Sequence, residues 1–289
     1  MNCDVCGTLC RSGVAPWHFV CPECGTEQST LAIRINDADA SKRIDEAQRA
    51  EGLAAVRAEG YRTILDALAS VPGVRHGKLL EVGSAHGWFL GTAAPRFDHV
   101  TGIEPDDAVR TRPALSNVDV RAGFFPAAVR ADECFDVIVF NDVFEHIADT
   151  ASIARAIAAH LSPGGVALIS LPVAGGFLYR VSRTLAAAGF AEPFKRLWQV
   201  GYPSPHLYYF SQGGLARLFA NVGLTLARTN ALPTLKIEGL WQRIRYGEPS
   251  LPMAVMSYAA AFALAPVLGM LPADTAAFFF RRADTVPQE

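Results

Sequence analysis

Beyond Gly77 the chain alternates short apolar runs with longer segments whose apolar residues return every three or four positions. Runs at 78–82, 99–104, 118–122, 135–140 and 166–171 have the length of buried strands, while residues 150–161 and 212–222 carry the helical period. This alternation predicts an α/β fold built on a doubly wound, mostly parallel sheet. Ligands bind such sheets beyond the carboxyl ends of the strands, so the residues just after each run become the candidates for chemistry.

Upstream, Ile44, Ala47, Leu53, Ala54, Val56, Tyr61, Ile64, Leu65 and Leu68 recur at helical spacing until Val71-Pro72-Gly73, which predicts a connector helix over 41–70. Residues 174–205, with Gly175-Gly176, Tyr179, Trp198 and Tyr202, are too long for a bare connection and read as a cover over a site. Residues 249–273 carry no charge, with Arg243 and Arg245 before them and Arg281 and Arg282 after. Their length permits a membrane span. However, Pro252, Pro266 and Pro272 divide the stretch, which favours a buried or dimerising helix pair, or a membrane-surface element with basic flanks. The expected organisation is a small unit at 1–30, a helical connector at 31–75, and a main domain at 76–289 with a cover insertion at 174–210.

The small unit is marked by Cys3, Cys6, Cys21 and Cys24, two CxxC pairs separated by fourteen residues. Each pair places two thiolates on one tight turn, and a short hairpin can bring the turns around one tetrahedral ion, for which Zn2+ is the default. Two disulfides are the alternative. No charged-then-apolar signal segment follows Met1, so a reducing, cytoplasmic setting and a metal are expected. Cys10 or His18 could substitute for one ligand; Cys134 reads as structural. Four thiolates leave no open coordination position, so this zinc ribbon has a structural or docking role.

At 289 residues, 51% hydrophobic and with mean hydropathy +0.20, the chain can bury a full α/β core. Its net charge is −2, and residues 1–50 hold five Arg or Lys against seven acids. Binding to RNA or DNA needs cations to neutralise phosphates, so nucleic acid is an unfavoured partner.

The first strand runs into Glu81-Val82-Gly83-Ser84-Ala85-His86-Gly87, where small residues let backbone approach a ligand and the following helix presents amides. Trp88 stands where a dinucleotide loop wants glycine, which disfavours NAD and FAD. Glu104 ends the second strand, 21 residues after Gly83, where a carboxylate can accept both ribose hydroxyls of an adenosine cofactor.

These residues resemble the class I S-adenosylmethionine-dependent methyltransferases. The likeness spans roughly 76–235 and rests on Glu81 to Gly87, Gly102-Ile103-Glu104-Pro105, the run from Phe135 to Ile147, and Leu161-Ser162-Pro163-Gly164-Gly165. It implies a seven-stranded Rossmann-like sheet whose last strand is 276–282. It also implies that Glu81, Gly83, Ser84, Ala85 and Gly87 hold the methionine end of S-adenosyl-L-methionine, Glu104 with Pro105 the ribose, Phe124 and Phe125 the adenine edge, and Asn141 with Asp142 the front of the pocket. Ala85 replaces the usual middle glycine, and Phe124 stands where many relatives carry an acid.

Methyl transfer to a hydroxyl needs a base, and His146 and His206 are the candidates. The Asp142-Val143-Phe144-Glu145-His146 stretch is similar to one in quinone-type O-methyltransferases, where it holds a divalent cation. Three readings stay open here: a helix cap by Asp142 with His146 packing, a base, or a divalent cation at Asp142, Glu145 and His146. For His206 the alternative to a base is a hydrogen-bonded loop histidine, and Tyr208 and Tyr209 read as packing residues. The expected activity is O-methylation of a small-molecule, glycan or lipid-linked acceptor. The alternatives are a zinc-module RNA base methyltransferase and a non-catalytic zinc and cofactor-fold binding protein.

Overall fold

The computed structural model describes residues 1–34, 46–232, 240–247 and 250–282. The predicted helix start at 41–45 and position 249 lie outside these residues. Near the N-terminus, three short strands, β1 (Arg11–Ser12), β2 (His18–Val20) and β3 (Glu27–Ser29), form an antiparallel hairpin and its neighbour. They bring Cys3, Cys6, Cys21 and Cys24 together, with ligand atoms within 4.8 Å of one another.

The main sheet contains β4 (Lys78–Val82), β5 (His99–Glu104), β6 (Val118–Ala122), β7 (Phe135–Asn141), β8 (Leu161–Pro172), β10 (Leu224–Leu232) and β11 (Thr275–Arg282). Its order is β10-β11-β8-β7-β4-β5-β6. The five strands β4 to β8 pair in parallel, and β11 inserts antiparallel between β8 and β10. Alternate residues face two cores: Leu80, Ile138, Phe140 and Ile169 lie in one, Leu79, Val137, Val139 and Leu168 in the other. Burial on both faces explains why these strands read as continuous apolar runs.

Helix α1 (Glu46–Ala69) places Tyr61, Ile64, Leu65 and Leu68 into the second core. The others are α2 (Trp88–Ala93), α3 (Thr150–His160), α4 (Phe177–Ala187), α5 (Glu192–Leu197), α6 (Gln212–Ala220), α7 (Leu240–Gly247) and α8 (Leu251–Leu268). Two boundaries differ from the sequence reading. Strand β8 begins at Leu161, five residues before the predicted run at 166–171, and takes in the Ser162-Pro163-Gly164-Gly165 stretch, where Gly164 sits at φ 72°. The uncharged segment is also not broken by its prolines. Pro252 sits at the second position of α8, where a missing amide costs nothing, Pro266 falls in its last turn, and Pro272 lies beyond it. The segment pairs α8 with α7 through a Trp241–Tyr258 ring contact at 5.8 Å. No helix among the described residues is long and apolar enough to cross a membrane.

Candidate active site

The carboxyl ends of β4, β5 and β7 supply one half of the site from consecutive turns. After β4, Gly83 takes φ 76°, and a Cβ there would meet Val143 Cγ2 at 2.5 Å; at Gly87, φ 70°, one would lie 2.7 Å from the Thr111 carbonyl oxygen. The loop is pressed between two neighbours with no room for side chains. Ala85 is held left-handed at φ 40°, a conformation uncommon outside glycine. Its amide donates to Glu104 Oε2 at 2.9 Å, and the Asp106 amide donates to Glu104 Oε1 at 3.0 Å, which fixes the carboxylate at the tip of β5. Pro105 is half-buried beside it.

Asn141 Nδ2 donates to Glu81 Oε1 at 3.0 Å, tying the ends of β7 and β4. Burial pushes the Glu81 carboxyl up to about 8, against the Asn141 hydrogen bond. Glu81 Oε2, Ser84 Oγ and Asn141 Oδ1 are buried without protein partners. Buried polar atoms left without partners at adjoining strand ends are what a polar ligand would complete. Phe125 does not share this surface: it is buried against Phe140 and His160, and only Phe124, 62% exposed, presents its ring outward.

The other half comes from distant segments. Residues 144–146 form a short 3-10 turn after β7. Asp142 does not cap a helix; Asp149 caps α3 by accepting from the Ser152 amide at 2.9 Å. Asp142 instead sits at φ 54° with its carboxylate 3.6 Å from Arg57 of α1. His146 Nδ1 donates to the Pro205 carbonyl at 2.9 Å, which leaves the lone pair on Nε2, 4.0 Å from Glu145 Oε1. Its ring meets that of His206 edge-on at 4.7 Å. His206 is buried and accepts from the Gln199 amide at 2.9 Å; burial, then His146, holds it well below the usual histidine range. Burial and the nearby Asp142 hold the Glu145 carboxyl well above its usual range. Glu145, His146 and His206 bring their ligand atoms within 4.8 Å, whereas the expected metal trio included Asp142.

These groups line a cavity of about 610 Å³ shared with Arg57, Tyr179, Gln199 and Asp274. The wall is braced by the N-terminal strands. Strand β9 (Tyr208–Tyr209) pairs antiparallel with β3, and Ser29 Oγ donates to the His206 carbonyl at 3.0 Å. The buried Glu27 accepts from Tyr179 OH at 2.6 Å and from Arg183, and meets His18 Nε2 at 2.6 Å. His18 is therefore engaged away from the thiols, and Cys10 lies outside the four-sulfur cluster. Tyr208 and Tyr209 do more than pack: their hydroxyls donate to Asp4 and Leu197, and together they form β9.

The profile of a methyltransferase domain family matches residues 53–229, more than half of the chain. The chain belongs to this methyltransferase family. It is an S-adenosylmethionine-dependent methyltransferase with the corresponding Rossmann-like sheet, which sets aside the non-catalytic alternative. Over 173 residues it is 27% identical to a ubiquinone biosynthesis O-methyltransferase of Methylobacterium sp. (strain 4-46), covering 58% of this chain and 67% of that one. A Haloferax volcanii complex of the Trm112 methyltransferase activator and a putative methyltransferase matches with TM-score 0.55 at 14% identity, covering 86% of this chain and 99% of that chain. A mycolic acid cyclopropane synthase, CmaA1, complexed with SAH and CTAB, matches with TM-score 0.54 at 17% identity, covering 75% and 82%. At these identities the structural matches speak for the fold.

Sequence reasoning missed Arg57, Gln199, Glu27 and Asp274. Arg57 left a signal, a cation one position after the apolar Leu53, Ala54 and Val56 of a helix. The other three have none, because only the folded chain brings Gln199 and Asp274 to the cavity and Glu27 behind its wall.

Proposed function

We propose that this methyltransferase O-methylates a small-molecule, glycan or lipid-linked acceptor in the cytoplasm, with His146 as the base. The observation that carries this reading is His146 in the cavity lining with its Nδ1–H donated to the Pro205 carbonyl, which makes Nε2 the basic nitrogen of the neutral ring. His206, buried and bonded by Gln199, suits a positioning role. Bound S-adenosyl-L-methionine supplies an electrophilic methyl on a sulfonium.

Glu104 would accept the ribose hydroxyls, while Glu81, Ser84 and Asn141 meet the methionine end with their orphaned atoms, and Phe124 covers the adenine. Asp142, beside the 83–87 loop in this reading, also lines the cavity. In the cavity, His146 Nε2 would take the proton of the acceptor hydroxyl whose oxygen receives the methyl. Alignment and exclusion of water provide most of the acceleration, and the base adds about 10² to 10⁴. Four thiols packed this closely fit a tetrahedral Zn2+ that braces the cavity wall and takes no part in the chemistry.

A second reading places a divalent cation at Glu145, His146 and His206, favoured by the proximity of their ligand atoms. Cell extract incubated with isotopically labelled cofactor and analysed by mass spectrometry tests the activity: a labelled ether is expected, and labelled RNA or an N-methyl product overturns the O-methylation reading. Loss of turnover with a chelator that leaves the four-thiol zinc in place would select the second reading over the base.

A further inference from the structure

Helix α8 contacts the rest of the protein along a narrow strip. Ala254 is buried, and Tyr258, Ala261 and Ala265 are half-buried. Leu251, Met253, Val255, Met256 and Phe262 are between 47% and 62% exposed, and Ala259, Ala260 and Ala263 are exposed between them. At about 100° per residue these positions sweep roughly 200° of the helix surface. One protein partner packs a stripe of about 100°. A helix left apolar over twice that arc matches a fluid apolar phase better than a second folded chain.

Helix α4 repeats the pattern in a different form. Its inward residues are Tyr179 and Ser182, while Leu178, Val181 and Leu185 point outward, followed by Phe190 at 69% exposure. The apolar face of an amphipathic helix is thus turned away from the core. The two regions meet: the Phe177 amide donates to the Pro272 carbonyl at 3.0 Å, and Val181 and Leu185 share a groove with Leu271 and Pro272, beside Met270 at 87% exposure. Leu178 also lines the acceptor cavity, so the apolar surface reaches its rim. The exposed Arg196 lines the cavity and the exposed Arg180 the adjoining groove; of the acids nearby, Glu192 pairs with Lys195, Asp142 with Arg57, and Asp274 accepts from the Leu178 and Tyr179 amides, while Glu145 is buried.

We propose that the outward faces of α4 and α8 form one membrane-docking surface. It seats the enzyme on an anionic lipid monolayer with the acceptor cavity opening toward the headgroups, so that the acceptor is taken from the lipid phase. This deepens the lipid-linked branch of the proposed function and rests on that reading for its substrate.

The test is co-sedimentation of the full chain with vesicles of phosphatidylcholine alone or mixed with phosphatidylglycerol, which needs neither acceptor nor turnover. Wild type should pellet with the mixed vesicles and about tenfold less with the neutral ones. Val181→Glu with Leu185→Glu, and separately Val255→Glu with Met256→Glu, should each lower partition about tenfold while circular dichroism and cofactor affinity stay unchanged. Arg180→Gln with Arg196→Gln should remove the anionic preference without adding charge to the apolar face. Absence of vesicle binding by folded wild type overturns the proposal, as does a dimer by light scattering that both glutamate pairs dissolve while vesicle binding never appears. Failure of the methyl-transfer reading would show separately, as vesicle binding without labelled product.

Discussion

The two halves of the site are built on different principles. On the side proposed for the cofactor, Glu81, the 83–87 loop, Glu104 and Asn141 follow directly on strand ends, and a handful of short hydrogen bonds fix them. On the side proposed for the acceptor, His146, Gln199, His206 and Tyr179 come from four segments and are held against β3 by strand pairing and the buried Glu27. A half made of local turns can be kept while its acceptor varies. A half made of long-range packing changes whenever the cover changes, so the proposed site would draw its specificity from there.

Four measurements would break or sharpen this contrast. The largest effect is expected on the acceptor side: His146→Ala should lower turnover about 10² to 10⁴-fold with cofactor affinity nearly unchanged, because base loss acts on the transition state. A few-fold loss would leave solvent as the proton acceptor. On the cofactor side, Glu104→Ala removes a charged acceptor contributing about 1.5–3 kcal/mol and should weaken cofactor binding roughly ten- to hundred-fold by calorimetry. Unchanged affinity would put the ribose elsewhere.

Glu81 provides a pH signature. Its carboxyl titrates near 8 in the fold and at 4.5 when unfolded, so the folded chain holds the extra proton between those values. The cofactor-free protein should therefore lose stability as pH rises through that window and level off above it. If the cofactor ammonium pairs with the carboxylate, binding releases this proton and affinity should rise by at most about tenfold per pH unit up to roughly pH 8. Calorimetry in buffers of different ionisation enthalpy reads the proton; no release would separate Glu81 from the methionine end.

The smallest effect on the cofactor is expected from the thiols. Cys21→Ser with Cys24→Ser should lose the zinc, about one per chain by elemental analysis, and raise hydrogen exchange across 206–210, while cofactor affinity shifts less than about twofold. Retained zinc would remove these ligands, and a large loss of cofactor affinity would mean the two halves are not separable.

The sequence by itself determined the sheet, the glycine loop, Glu104 and the four-cysteine cluster, because each is written in a local signal: two-sided burial in a continuous apolar run, positive φ in glycine, metal spacing in CxxC. It assigned Phe125 with Phe124 to the adenine edge, although the turn after Gly123 exposes Phe124 and sends Phe125 into the core. One of its open readings gave Asp142 a capping role that Asp149 performs, and another grouped Asp142 with Glu145 and His146 where the fold groups His206. The pairing of β3 with β9, the descent of Glu27 onto Tyr179, and the outward turn of the apolar faces of α4 and α8 were decided only by the tertiary structure. The partners in the first two are separated by more than 150 residues, and which way a helix face turns depends on what packs behind it.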